Sequence, residues 1–310
     1  MARPPVLRLG TRTSALARYQ TRLVGERLAA ATGLVCQIVE IITEGDVDAD
    51  TPLPEIGGKG VFTEALERAL RAGAIDAAVH SIKDLPVEPA PGLCLPAIGM
   101  REDPRDVLLA REQWTVASLP PGATVGTCST RRAAQLRAPR PDLVTAPLRG
   151  NVDTRVRKAL RGDYDAIVIA AAGVLRLGLG EAIREFLPLD LMLPAPGQGA
   201  LAIQCRAADE ATRRALELLD EPPIRAAVEA ERAFLEGLGG GCAAPIAAHA
   251  SAAPGPSLAA VRVTLRGVVA SPDGTRVVRV QGDASGTEAR GLGLSLASEA
   301  RAAGAAELVA

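Results

Sequence analysis

The sequence predicts an α/β protein of two or three domains, with β and α alternating in two parallel or mixed sheets and a small α+β region with an antiparallel sheet at the end. Three observations carry this expectation. The chain has 310 residues, more than one hydrophobic core usually serves. An alternation of short apolar strands and amphipathic helices starts at residue 6 and restarts at residue 123. From residue 242 on, "CAAPIAAHAS", "AAVRVTLRGVVAS" and "TRVVRVQGDA" read as successive strands, with Pro272-Asp273-Gly274 as a hairpin turn between the last two.

Each element has its own justification. "VLRLG" (6–10) reads as a strand. In the stretch that follows, Leu16, Tyr19, Leu23, Val24, Leu28 and Ala31 recur at helical spacing, and Gly33 supplies the stop. "VCQIVEII" (35–42) is a near-continuous β-branched run, as expected of a strand buried on both faces. Residues 43–60 are acidic and rich in Gly and Pro, which predicts a mobile loop. A second amphipathic helix covers 61–73, with Phe62, Ala65, Leu66, Ala69 and Leu70 on one face, and a strand then ends near His80. "GMREDPRDVLLA" (99–110) reads as a crossing between domains. In the second half, "ATVGT", "DLVTAPL" and "YDAIVIA" alternate with the helices "STRRAAQLR", "NVDTRVRKALRG" and "AGVLRLG". "LMLPAPGQGALAIQC" (191–205) has Pro and Gly hinges before an apolar strand that can return to the first sheet. Residues 220–223 read as a linker, and a helix then leads into the glycine run at 239–241.

Composition narrows the function. Apolar residues make up 48% and charged residues 23%, an ordinary globular balance. Aromatics are only 2%, so Ala, Val, Leu and Ile must build the cores. With 35 basic and 36 acidic residues, no excess charge points to nucleic acid or a membrane surface. No apolar run is long enough for a transmembrane helix, and the first ten residues lack the apolar stretch of a signal peptide, so a cytoplasmic protein is expected. Five cysteines, with no Cys-x-x-Cys, argue against a disulfide framework. Two histidines without ligand-like spacing argue against zinc.

The chemistry collects at strand ends. The first strand–helix turn of each half has the same form, "GTRTS" (10–14) and "GTCST" (126–130). Arg12 lies in the first, and Arg131 and Arg132 follow the second. In open parallel sheets such turns line the crevice at the carboxyl ends of the strands. Hydroxyls, helix N-terminal N–H groups and guanidinium forks there make a site for carboxylate or phosphate. Simple helix capping by Ser and Thr, with the arginines in solvent, is the better account of one such turn, and two matching turns with three arginines bring the two readings level. Further cations stand at comparable places: Arg149, Arg155, Arg176, Lys59 in "GGKG", and Lys83 beside Asp84. Asp84 can be a solvated partner of Lys83. Alternatively, a carboxylate among cations stays ionised and can stabilise a cationic intermediate or accept a proton. No glycine pattern here matches a nucleotide-binding loop.

Cys242 is set apart from the other cysteines. Cys36, Cys94 and Cys205 read as small buried hydrophobes. Cys242 follows three glycines, which let a bulky group approach the backbone. No base in the sequence marks it as a hydrolytic nucleophile, so a permanent covalent attachment point fits best.

The motifs "TRTSALA", "GGKGVFTEALE", "AVHSIKDLP", "REDPRDVLL", "VGTCSTRR", "LRGNVDTR", "AAGVLRLGL", "LPAPGQGALAIQCR" and "AERAFLEGLGGGCAAPI" run in order along nearly the whole chain. In these the sequence resembles the porphobilinogen deaminase (hydroxymethylbilane synthase) family. The resemblance implies two domains like type II periplasmic binding proteins (1–99 plus 196–219, and 100–195) and a third over 222–310. It implies a dipyrromethane cofactor held by a thioether to Cys242. Four porphobilinogens are then added head to tail with loss of ammonia, and water releases hydroxymethylbilane for tetrapyrrole and heme biosynthesis. It further implies that Asp84 serves the pyrrole nitrogens and the proton transfers. Arg12, Lys59, Lys83, Arg131, Arg132, Arg149, Arg155 and Arg176 would bind acetate and propionate groups, with Ser14, Thr127, Ser129 and Gln198 also at site positions. A monomer that passes its product to uroporphyrinogen-III synthase is expected, with no metal.

The sequence departs from the family pattern at Glu55, where many members carry Lys, and at Cys128, which puts a thiol in place of a hydroxyl. "RTSA" and "HSIKD" also replace "RQSP" and "HSMKD". Two rival readings remain at this point: a non-catalytic anion-binding or sensor protein, which leaves Cys242 and Asp84 unexplained, and a cysteine acyltransferase, which needs a base near Cys242.

Overall fold

The computed structural model describes residues 6–43, 63–239 and 244–308. Among these residues the chain forms two five-stranded mixed sheets and one three-stranded antiparallel sheet, the α/β class expected. Its contacts divide it into two compact units, one of residues 1–101 and 200–222, the other of 102–199 and 223–310.

In the first unit the sheet order is β2-β1-β3-β10-β4. Strands β1 (Val6–Thr11), β2 (Val35–Glu40) and β3 (Ala77–Ser81) are parallel. Strand β10 (Leu201–Arg206) runs antiparallel between β3 and β4 (Leu93–Gly99). The 191–205 segment therefore does return its strand to the first sheet. Helices cover both faces. Val24 and Leu28 of α1 (Ala15–Thr32) pack with Leu9, Val79 and Ile203 on one side. Leu66 and Leu70 of α2 (Glu64–Arg71) pack with Ile75 and Ala78 on the other. The β-branched run of β2 is not buried on both faces as the sequence suggested. It is the edge strand, paired only with β1, and Val35 and Ile38 stay 46% and 40% exposed. A continuous apolar run does not distinguish a central strand from an edge one.

The second unit repeats the arrangement. Strands β6 (Thr124–Gly126), β7 (Val144–Ala146) and β8 (Ala166–Ala170) are parallel. Strand β5 (Asp106–Leu109) runs antiparallel between β8 and β9 (Ile183–Phe186), giving the order β7-β6-β8-β5-β9. The stretch read as a crossing thus holds the change of unit, at 101–102, and a full strand. Helices α3 (Thr130–Arg137), α4 (Val152–Arg161) and α5 (Ala171–Arg176) follow β6, β7 and β8. The two "GT" turns are structurally equivalent, since each joins the first parallel strand of its sheet to a helix. A Cβ on Gly10 would press on Ile75 Cδ1, and one on Gly126 would lie 3.0 Å from Ile167 Cγ2 and Tyr164 Cδ1, so a side chain at either position would make its neighbours shift.

The same unit carries the antiparallel sheet β11 (Ile246–Ala253), β12 (Arg262–Ala270) and β13 (Val277–Ser285), the 271–276 turn joining β12 to β13. With α6 (Glu210–Glu217) in the first unit, the remaining long helices are α7 (Pro222–Gly237) and α8 (Ala289–Ala302), which close a separate core around Phe234, Val263, Leu265 and Leu296. Glu231 of α7 is wholly buried. Its Oε1 accepts the N–H of Ala250 at 2.7 Å and its Oε2 that of Gly197 at 2.6 Å, so one carboxylate ties the third sheet to the Pro-Gly-Gln-Gly loop. The expected result for Glu231→Ala is a loss of about 3–5 kcal/mol, because two buried backbone donors lose a charged acceptor. Thermal unfolding of the purified variant checks it, and a melting temperature equal to that of the wild type would refute it.

Candidate functional site

Among its described residues the first unit presents a pocket at the carboxyl ends of β1 and β3. Arg12, Ser14, Gln20, Thr63, His80, Ser81 and Asp84 line it. Ser14 caps α1, its Oγ accepting the Ala17 N–H at 3.3 Å, so the capping reading of the sequence is correct for this hydroxyl. Gln20 donates from Nε2 to Ser81 Oγ at 3.0 Å, which fixes the helix to the end of β3. Residues Ile82–Asp84 form a single 3-10 turn straight after β3; Lys83 is half-buried, and the turn leaves the Asp84 side chain exposed at the pocket.

His80 lies beneath these groups and is 6% exposed. Burial is the main reason its pKa falls to about 4. A contact with Gln204 opposes the fall, and the positive charge of Arg12 adds to it. Neither His80 Nε2 nor Gln204 Oε1 has a hydrogen bond of ordinary geometry. The imidazole is therefore neutral at pH 7 and does not compete with Arg12 for anions. The unfolded chain binds a proton at this residue below about pH 6.5, while the folded chain binds it only near pH 4. Stability is thus full above pH 6.5 and falls as the pH falls toward 4. Relative to His80→Gln, the wild type is expected to lose roughly 2 kcal/mol between pH 7.5 and pH 5. Urea unfolding of both proteins at the two pH values measures this, and parallel pH dependences would contradict it.

In the second unit, Ser129 caps α3, its Oγ accepting the Arg132 N–H at 3.4 Å, and Thr127 Oγ1 accepts the Ser129 N–H at 3.2 Å. Cys128 joins the same turn to the chain after β7. Its thiol donates to the Leu148 carbonyl and accepts the Leu148 N–H, both at 3.1 Å. Arg131 and Arg132 do not lie in solvent. They are 5% and 8% exposed and converge on Asp106, which is wholly buried. Arg131 Nη1 reaches Asp106 Oδ2 at 2.8 Å, and Arg132 Nη2 reaches Oδ1 at 2.8 Å. Gln198 donates from Nε2 to the same Oδ1 at 2.9 Å and to the Pro104 carbonyl at 2.7 Å. Burial alone would raise the Asp106 pKa, but the two guanidiniums outweigh it and hold the carboxyl far below its usual range. Arg176, buried at the end of α5, donates to the Gly199 carbonyl at 2.8 Å, next to Gln198. Arg149 and Arg155 are half-buried around the 149–155 turn, where Arg155 Nε donates to the Gly150 carbonyl at 2.7 Å.

The sequence-derived residues thus fall into groups. Arg12, Ser14, Lys83 and Asp84 share the end of the first sheet, and Thr127, Ser129, Arg131, Arg132, Gln198 and Arg176 cluster in the second unit. Arg149 and Arg155 stand at the next turn. Lys59, Glu55 and Cys242 lie outside the described residues. Sequence reasoning missed His80, Asp106 and Glu231. A signal was present for His80, a His in an apolar strand, whereas Asp106 and Glu231 each stand among other charged residues of the sequence.

An acidic ligand with several carboxylates and pyrrole N–H groups fits this donor set. The Arg131–Arg132–Asp106 cluster is buried and carries one net positive charge, and Arg12 and Asp84 both line the pocket of the first unit. Two like α/β sheets with cationic, hydroxyl-bearing strand ends define the class: an α/β protein that binds organic anions. Comparison with known proteins gives the family. Residues 7–214 match the profile of the porphobilinogen deaminase dipyromethane cofactor binding domain, and residues 225–302 that of the porphobilinogen deaminase C-terminal domain. The porphobilinogen deaminase of Roseiflexus castenholzii is 48% identical over 305 residues, covering 98% of both chains. That of Thermobifida fusca is 46% identical over 311 residues, covering 98% of this chain and 95% of its own. The chain belongs to the porphobilinogen deaminase family.

Among solved structures, a periplasmic substrate-binding protein from Coxiella burnetii is similar with a TM-score of 0.45 and 13% identity, over 71% of this chain and 94% of its own. The methionine binding protein MetQ gives a TM-score of 0.43 and 12% identity, over 69% of this chain and 89% of its own. No described helix is long and apolar enough to cross a membrane. No finding favours the non-catalytic sensor.

Proposed function

We propose that the protein condenses four porphobilinogen molecules head to tail, each with loss of ammonia, and releases hydroxymethylbilane by hydrolysis. The observation that carries this reading is family membership over both profiles, together with a cationic donor set suited to polycarboxylates. The covalent dipyrromethane, held by Cys242, supplies the pyrrole carbon on which the first porphobilinogen is joined. The remaining work belongs to the chain. Arg12, Lys59, Lys83, Arg131, Arg132, Arg149, Arg155 and Arg176 hold acetate and propionate groups, two per pyrrole ring. Thr127 and Gln198 act with them, while Ser14 and Ser129 keep the two helix N-termini in place at the site. Asp84 accepts hydrogen bonds from pyrrole N–H groups and holds the proton displaced when a new ring bond forms. A fixed carboxylate there stabilises positive charge as it develops during deamination.

This reading divides the chain into three domains, 1–99 with 196–219, 100–195 and 222–310. The enzyme works as a monomer in the cytoplasm and passes its product to uroporphyrinogen-III synthase. The test is direct. Purified protein incubated with porphobilinogen should release one ammonia per porphobilinogen consumed and one linear tetrapyrrole for every four, and failure to consume porphobilinogen would overturn the proposal.

A further inference from the structure

Asp106 has no role in the reading above, yet it is the most constrained carboxylate of the second unit. It opens β5, is wholly buried, and lies under the first turn of α3. Its two oxygens divide the work. Oδ2 takes Arg131 Nη1 at 2.8 Å, while Oδ1 takes Arg132 Nε at 3.1 Å, Arg132 Nη2 at 2.8 Å and Gln198 Nε2 at 2.9 Å. The Arg131 side is closed further. Its Nη1 also donates to the Leu193 carbonyl at 2.7 Å, and Gln135 grips the same residue, its Oε1 accepting the Leu193 N–H at 2.9 Å and its Nε2 donating to the carbonyl at 3.0 Å.

Two features of this network are not those of a simple structural ion pair. A structural pair balances its charges, because a buried excess is costly. Here two guanidiniums share one carboxylate, and the neighbours that complete the shell are neutral amides and carbonyls. In addition, Arg131 is held through Nη1 alone, which Asp106 and the Leu193 carbonyl share, and Arg132 through its Nε–Nη2 edge. Arg131 Nε and Nη2 and Arg132 Nη1 take no part in the bonds to Asp106. A guanidinium is a planar fork, so pinning one edge sets the direction of the other. An unpinned arginine instead gives up rotamer freedom each time it binds.

We propose that Asp106 is a positioning residue for carboxylate recognition: it holds Arg131 and Arg132 in a fixed orientation, with one surplus positive charge, for an acetate or propionate group of the polypyrrole. The proposal rests on the functional reading above. It makes a prediction opposite in sign to charge counting. Asp106→Asn raises the cluster from one net positive charge to two, so if charge alone governed binding, carboxylates would bind better. If orientation governs, they bind worse.

The experiment compares wild type with Asp106→Asn in three measurements: the fraction carrying the dipyrromethane by intact mass, the KM for porphobilinogen, and the thermal midpoint. The expected result is a smaller loaded fraction and a KM raised about tenfold or more. An unchanged or lowered KM with full loading would overturn the proposal, whatever the thermal midpoint, since that pattern is what a purely structural carboxylate gives. Gln198→Met covers the case in which Asp106→Asn is insoluble. It removes one of the four bonds to the carboxylate and leaves both ion pairs, so a KM raised about two- to fivefold supports the proposal and an unchanged KM overturns it. A wild type that neither carries the adduct nor consumes porphobilinogen removes the functional reading, and the proposal with it.

Discussion

Cys242→Ala is expected to purify at the mass of its bare sequence and to consume porphobilinogen at a rate lower by about three orders of magnitude or more. The other four cysteines explain why no substitute thiol should take over. Cys205 is wholly buried and its pKa is pushed up to about 12, chiefly by burial and then by Cys94, whose sulfur is 3.7 Å away. Burial also raises the Cys36 thiol. A thiol held protonated is a poor nucleophile. Cys128 is exposed, but its sulfur is engaged at both ends by Leu148. Cys242 alone follows a run of three glycines, residues that carry no side chains. Intact mass of wild type, Cys242→Ala and Cys128→Ala separates the possibilities. The first and third should carry one dipyrromethane and the second none. An adduct on Cys242→Ala would move the attachment point to another residue.

Much of this molecule was legible because local pattern and tertiary role agree. The turn "GTRTS" and its echo "GTCST" predicted equivalent strand-to-helix corners, and the two sheets place them equivalently. Apolar periodicity located α1 and α2 because each buries one face against a sheet. The failures share a physical cause. Whether 35–42 is central or at an edge depends on which strand pairs beside it, and that partner is not local in sequence. The sequence left Arg131 and Arg132 between an anion site and plain solvent exposure, because their counterion stands 25 and 26 residues away on β5. Glu231 looked like one charge among several on an amphipathic helix. Its meaning lies in two backbone N–H groups, 34 and 19 residues distant. Buried charge is decided by partners that folding brings in, so composition and spacing name the residue without naming its role.

Asp84→Asn should fold, and carry the cofactor, yet lose most turnover. The geometry behind this is local. Strand β3 ends at Ser81, and the 3-10 turn Ile82–Asp84 is fastened on both sides, with the Ile82 N–H donating to the Ala200 carbonyl and the Leu85 N–H to the Ile82 carbonyl, each at 3.1 Å. Folding therefore does not rest on the Asp84 carboxylate, which projects at the pocket with Arg12, Ser81 and His80. Because His80 is neutral, Arg12 and Asp84 set the charge balance of that pocket. Loss of ammonia from porphobilinogen leaves positive charge spread over the ring and its exocyclic carbon. A fixed anion stabilises that charge more in the transition state than in the ground state, which is the condition for raising a rate. Asparagine keeps the shape and removes the charge, so the expected loss is about a hundred- to a thousandfold in kcat. Asp84→Glu keeps the charge and displaces it by one methylene, so it should retain partial activity and release intermediates slowly. Porphobilinogen consumption by each purified variant, with cofactor content checked by mass, measures both effects. If Asp84→Asn with its cofactor in place turned over as fast as the wild type, the carboxylate would serve only its neighbouring cations, and proton transfer would have to be assigned to another group in the pocket.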